Sequence, residues 1–279
     1  MQIIEFESYP IVKFNLLITM NFYKEIVRRN ALMANMGTFF LILAAVLGLY
    51  ATVNTTQVLG INSMIKPIKF ALSTWIYAWS MAYLLFFVEK QKNVRLYTYL
   101  AVATMLYENG VITFQAFRGK LSHFNQTEIV GGILYALMGI MIVWLTTATL
   151  VLTIRFIRQK AYIISDSFAL SIQIGLLMFV IFSFFGGYMS GINSHNVGGE
   201  IGAKGLPLLN WSTLFGDLRV AHFFGVHALQ LIPILGYFVS QNIANQAKAK
   251  QRVWVFSLIY FLFVVFTMVQ ALAGKPFIA

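Results

Sequence analysis

The sequence contains no cysteine among its 279 residues. Disulfides, thiolate metal centres and cysteine nucleophiles are therefore excluded. Charge is scarce as well: 10% of residues are charged, against about 25% in a soluble domain. Acids are the rarer sign, with nine Asp and Glu against twenty Lys and Arg. Two of those acids fall in the opening MQIIEFESYP, where a secretory signal would be basic, so no cleaved leader is expected.

What fills the chain instead is apolar. Hydrophobic residues make up 59% of it, and the mean hydropathy is strongly positive. This composition points to a polytopic membrane protein rather than a globular enzyme with one anchor. The net charge of +11 would suggest nucleic acid in a soluble protein. Here the orientation rule for membrane loops accounts for it, and the lipid bilayer, not nucleic acid, is the expected partner.

A membrane-crossing helix needs about 20 mostly apolar residues. Seven stretches qualify, near 31–53, 67–88, 96–117, 129–153, 165–188, 218–240 and 253–273. The expected fold is all-α, a single seven-helix transmembrane domain over 31–279. A cytoplasmic or interfacial segment, 1–30, precedes it, with 11–23 as a short interfacial helix. Thirteen Lys and Arg fall on the side of the N-terminus and seven on the other. That bias places the N-terminus in the cytoplasm and the C-terminus outside. One outer loop, 190–217, is long and rich in Gly and Asn. The tetrapeptide GINS occurs at 60–63 and again at 191–194, which raises the prospect of a parallel repeat of spans one to three in spans five to seven.

The residues able to carry chemistry gather toward the outer side. All four histidines, His123, His195, His222 and His227, fall there. Glu108 lies inside the third span, where a carboxylate costs several kcal/mol unless paired, protonated or near water. Helical spacing sets Tyr97, Thr104, Glu108 and Gln115 near one stripe. In the second span Lys69, Ser73 and Ser80 share a face. His222 and His227 are five apart, which puts them about 140° apart around a helix and about 7.5 Å along it. This spacing is poor for chelation of one ion from one helix. A site must recruit His123 from its loop or Glu108 from its span. Lys66, Lys69, Arg118, Lys120 and Arg219 run against the positive-inside trend and suit an anionic group, such as a lipid head or haem propionates.

The stretches KPIKFALS (66–73), RGKLSHFN (118–125), HNVGG (195–199), GLPLLNWST (205–213) and GDLRVAHFFGVHALQ (216–230) resemble those of a family of uncharacterised bacterial polytopic membrane proteins. The resemblance spans roughly 60–233. It implies a multi-pass protein of the bacterial cytoplasmic (inner) membrane and brings no activity with it. A likeness to microbial rhodopsins fails because Lys275 lies beyond the last span. Seven-span zinc hydrolases share the His/Asp inventory but take their paired histidines from the last helix.

The expectation is a His/Glu polar site opening to the non-cytoplasmic face. In it His123, His222 and His227 ligate a divalent metal or haem iron, or carry protons. Glu108 and His227 do the proton chemistry, and Lys69, Arg118 and Arg219 hold an anionic or lipidic molecule. This describes a metal- or haem-dependent enzyme acting on a lipid or quinone-like molecule. The alternatives are a proton-coupled transporter using Glu108 and His227, and a structural subunit of a membrane complex. All three are compatible with self-association.

Overall fold

The computed structural model describes residues 16–125, 128–202 and 204–279, with side chains from 21 onward. These residues form seven α-helices: α1 Leu16–Ala51, α2 Ile65–Leu84, α3 Gln91–Phe117, α4 Ile129–Ile157, α5 Asp166–Gly191, α6 Leu218–Asn242 and α7 Gln246–Leu272. Six of them are long and apolar enough to cross a bilayer. The exception is α3, which is 27 residues long but dilutes its apolar content with Thr104, Glu108, Asn109 and Gln115. Large apolar side chains point outward, among them Leu96, Ile129, Trp144 and Phe266. With no water to solvate them, backbone groups in a bilayer must be satisfied within a helix or a closed barrel. The chain is an all-α, multi-pass membrane bundle.

Several helices outlast the apolar stretches that announce them. Helix α3 begins at Gln91 and α7 at Gln246, each some turns before its apolar run. Hydropathy marks only the part that meets lipid, whereas backbone hydrogen bonding continues into polar turns. Helix α1 is interrupted at Asn30, whose backbone is non-helical. The Asn30 side chain accepts from Met33 N at 3.1 Å and donates to Thr98 Oγ1 at 2.7 Å. It thereby starts a new helical segment and ties it to α3. Of the expected interfacial stretch 11–23, residues 11–15 lie outside the described residues, and the remainder is helical.

Two short antiparallel ribbons mark one end of the bundle. Strand β1 (Gln57–Val58) pairs with β2 (Ile61–Asn62) between α1 and α2. Strand β3 (Asn196–Val197) pairs with β4 (Gly216–Asp217) between α5 and α6. Both ribbons lie at this one end, the ribbon end. Toward the opposite end lies the largest apolar core, joining Phe40, Met81, Tyr97, Phe156, Ile172 and Leu229. A hydrogen-bond chain crosses it. Tyr77 donates to Tyr97 at 2.5 Å, Tyr97 to Thr149 at 3.1 Å, and Thr149 to Leu145 O at 2.8 Å. The fixed last step sets the direction of the others.

Helices α5 and α6 pack through small residues, as close helix pairs in membranes do. A methyl group at Gly225 would sit 2.0 Å from Phe182 Cγ, and one at Gly236 2.0 Å from Ser171 Oγ. Gly110 of α3, by contrast, has nothing within 4 Å of that position. Gly225→Ala should therefore lower the thermal midpoint of detergent-solubilised protein, by an overpacking cost of about 1–3 kcal/mol. Gly110→Ala should leave the midpoint unchanged or raise it, since alanine is favoured over glycine in a helix by about 0.5–1 kcal/mol.

Candidate functional site

The long loop expected between the fifth and sixth helices is held from inside. Its anchor is Asp217, the last residue of β4 and the N-cap of α6. Its carboxylate is 1% exposed. Oδ1 accepts from Arg219 N at 3.0 Å and Arg219 Nε at 2.9 Å. Oδ2 accepts from Ser212 N at 2.9 Å and Arg219 Nη2 at 2.6 Å. The same Arg219 Nη2 donates to Asn210 O. Lys69 of α2 donates to Leu209 O at 2.9 Å. Segment 209–212 is thus stitched to the starts of both α2 and α6.

His195 stands next to this hub. Its Nδ1 donates to Asn196 Oδ1 at 2.8 Å and lies 3.8 Å from Asp217 Oδ1. Burial and the Arg219 charge push its imidazole down to about 4 from the usual 6.5, against the opposing pull of Asp217. His123 occupies the neighbouring loop. Its Nδ1 lies 3.2 Å from Lys66 Nζ and 3.2 Å from Ser122 Oγ. Because a lysine only donates, Nδ1 accepts and the ring proton sits on Nε2. Burial, and then the Lys66 charge, hold His123 well below the usual 6.5. Phe124 links the two rings, its centroid 6.3 Å from His123 and 6.1 Å from His195.

Glu108 is 5% exposed and lies on the expected stripe of α3. Among the described residues it has neither an ion pair nor a hydrogen bond, and its Oε1 is fully enclosed. The same holds for Thr104 Oγ1, Asn109 Oδ1 and Gln115 Nε2, all on α3. Asn109 Nδ2 is satisfied by Thr74 Oγ1 at 3.0 Å and Met105 O at 2.9 Å. Gln115 Oε1 accepts from Arg118. Four buried polar atoms on one helix therefore lack partners, and each costs about 1–3 kcal/mol when left so. Tyr97, expected on this stripe, is instead occupied by Tyr77 and Thr149.

The two histidines of α6 face different neighbours. His222 Nδ1 donates to Phe182 O of α5 at 2.7 Å, in a niche that Gly186 leaves open. His227 Nδ1 meets Gln230 Oε1 at 3.2 Å, and Gln230 Nε2 donates to Ser80 Oγ of α2 at 3.1 Å. Among the described residues no three His, Asp or Glu side chains gather as a metal ion would require. The expected ligand set His123, His222 and His227 is therefore dispersed: one ring lies on Lys66, one on α5 and one toward α2. The physical reason is the five-residue spacing, which points the two α6 rings to opposite flanks.

The three cations expected to hold an anion are also apart in their bonding. Lys69 and Arg219 share the 209–212 segment, whereas Arg118 forms a two-pronged pair with Glu128 at 3.0 and 3.2 Å. Lys66, by contrast, has a contact that sequence reasoning passed over: it touches His123. Its signal was its position one turn before Lys69. An open cleft of about 480 Å³ separates the β1–β2 turn from segment 202–210. It is lined by Leu59, Ile65, Lys204 and Pro207 among others, and by none of the expected site residues.

Removing the Asp217 carboxylate strands Arg219 and frees Ser212 N. Asp217→Ala should open loop 199–215 to protease and cost about 3–5 kcal/mol of stability, as breaking a buried pair does. His195 adds a pH signature. The unfolded chain binds a proton near 6.5 and the folded protein only near 4, so stability is complete above 6.5 and is lost as pH falls toward 4. The thermal midpoint should drop across that window, and His195→Gln should flatten the drop. Comparison with known protein families, curated proteins and solved structures finds no match to this chain.

Proposed function

We propose that the protein is a proton-coupled carrier of the bacterial cytoplasmic membrane, with Glu108 as the group that takes up and releases the proton. In this reading α3 spans the bilayer with the other six helices, the N-terminus is cytoplasmic and the ribbon end faces outward. Thirteen basic residues against seven support that orientation.

One observation carries the reading. Helix α3 presents Thr104, Glu108, Asn109 and Gln115 to the bundle interior, each with a buried polar atom that no described residue satisfies. A purely structural stripe would close its hydrogen bonds, as Tyr77, Tyr97 and Thr149 do. Open polar atoms beside an unpaired intramembrane carboxyl suit a path for a proton and a polar solute. Lys66, His123 and Ser122 form the entrance on the ribbon side. His227 belongs to a separate chain toward α2, so its proton role is secondary here. Among the described residues no three His, Asp or Glu side chains gather to support a protein-held metal ion.

The test uses liposomes with a trapped pH-sensitive dye and an imposed pH gradient. Vesicles holding the wild-type protein should lose the gradient at least about tenfold faster than vesicles holding Glu108→Gln, the loss expected when one relay group is removed. Gly110→Ala serves as a folded control on the same helix. A wild-type rate in Glu108→Gln would sink the assignment.

A further inference from the structure

The end of the bundle opposite the ribbons carries a cluster of positive charge. Two turns meet there, one joining α2 to α3 and one joining α4 to α5. Gln159 clasps them: its Oε1 accepts from Glu89 N at 2.9 Å, and its Nε2 donates to Phe87 O at 3.2 Å. Each turn is also fixed from within. Gln91 Nε2 donates to Val88 O at 2.6 Å, and the Tyr162 hydroxyl to Phe156 O at 2.8 Å. Further in, Tyr97 of α3 donates to Thr149 of α4. The start of α3 and the end of α4 therefore lie side by side at one level.

Each of these helices brings two cations to that level, and each cation stands one turn from an outward apolar residue. On α3, Lys92 precedes Leu96 and Arg95 precedes Tyr99. On α4, Arg155 follows Val151 and Arg158 follows Ile154. Residues four apart share a helix face. All of these side chains are exposed, Leu96 at 72%. The four cations thus crown the apolar stripes that meet lipid. Among the described residues none of the four has an ion pair. Other cations at the same end do: Arg29 pairs with Glu25, and Lys250 with Asp166. The positive-inside bias asks only for basic residues near the ends of spans. It does not ask for them in pairs above the lipid face, on turns held by side-chain amides.

We infer that these two pairs bind one diphosphate-headed phospholipid of the cardiolipin type. One phosphate sits on Lys92 and Arg95, the other on Arg155 and Arg158, and the acyl chains lie along Leu96, Tyr99, Val151 and Ile154. An arginine donates two parallel N–H groups to a phosphate, and a lysine adds a point charge. Joining two phosphates through one glycerol makes the second contact intramolecular, which favours this head over two separate one-phosphate heads. The clasped turns help, because their backbone is ordered before the lipid arrives. The inference shares with the carrier reading the placement of α3 in the bilayer. It does not need proton exchange at Glu108, so either can fail while the other stands.

Cardiolipin, phosphatidylglycerol and phosphatidylcholine are titrated against the detergent-purified full chain and read by native mass spectrometry. Cardiolipin should bind at least about tenfold more tightly than phosphatidylglycerol, and phosphatidylcholine most weakly. Lys92→Gln combined with Arg155→Gln takes one charge from each pair. One basic residue near a membrane surface is worth about fivefold in affinity, so this variant should bind cardiolipin about 25-fold more weakly. Lys248→Gln combined with Arg252→Gln removes the same charge from exposed positions on α7 at the same end, and should bind as the wild type does. Inorganic pyrophosphate at the lipid's concentration should displace none of it. Equal binding of cardiolipin and phosphatidylglycerol, an equal loss in the α7 variant, full binding by the Lys92 and Arg155 variant, or displacement by pyrophosphate overturns the proposal. The lipid comparison and the pyrophosphate competition on the wild type decide the matter even if a variant does not fold.

Discussion

The carboxylate of Asp217 is the constraint on which the ribbon end depends. A buried charge is costly unless it is paired and its remaining lone pairs are filled. Asp217 meets both conditions, through the Arg219 guanidinium and the amides of Ser212 and Arg219. The consequences run outward. It starts α6, fixes Arg219, and through Arg219 fixes Asn210 O. The adjoining Leu209 carbonyl then reaches Lys69 on α2. A loop that reads as a flexible Gly/Asn stretch thereby becomes a strap between two helix starts. His195 is held neutral beside it, because burial and a neighbouring guanidinium both oppose its protonation.

The seven helices were legible because lipid imposes a coarse pattern, long apolar runs parted by polar turns. The ribbons were not. Each strand is two residues long, too short for any alternation to appear. Which histidines meet was legible only in the negative. Five-residue spacing excludes a shared ion, but it cannot show that His222 lands on Phe182 O, because that contact is made by α5 and requires Gly186. Likewise the stripe Thr104–Glu108–Gln115 follows from helical spacing. That Tyr97 leaves it for a hydrogen-bond chain with α2 and α4 depends on partners far away in sequence.

Polar groups in this bundle fall into two classes, and the contrast is informative because the bilayer core offers them no water. Some are closed: Tyr77, Tyr97, Thr98, Thr149 and Thr153 all spend their hydroxyls on other groups. Others are open among the described residues: Glu108 Oε1 and Gln115 Nε2 on α3, and Ser257 Oγ on α7. A fold tuned only for stability would remove such groups or pair them.

The order of elements repeats along the chain. Helix, two strands, helix and helix occur twice, as α1–β1–β2–α2–α3 and α5–β3–β4–α6–α7, with α4 between. An intervening single helix returns the chain so that both units point the same way. The two GINS tetrapeptides do not occupy matching places, one lying at the β1–β2 turn and the other at the end of α5. The correspondence therefore rests on the elements, not on those residues. Asn62 and Asp217 end the second strand of each unit, and each accepts from the amide two residues on. This makes α2 and α6 counterparts. Parallel repeats related by an axis along the membrane normal are one of the plans that transporters use.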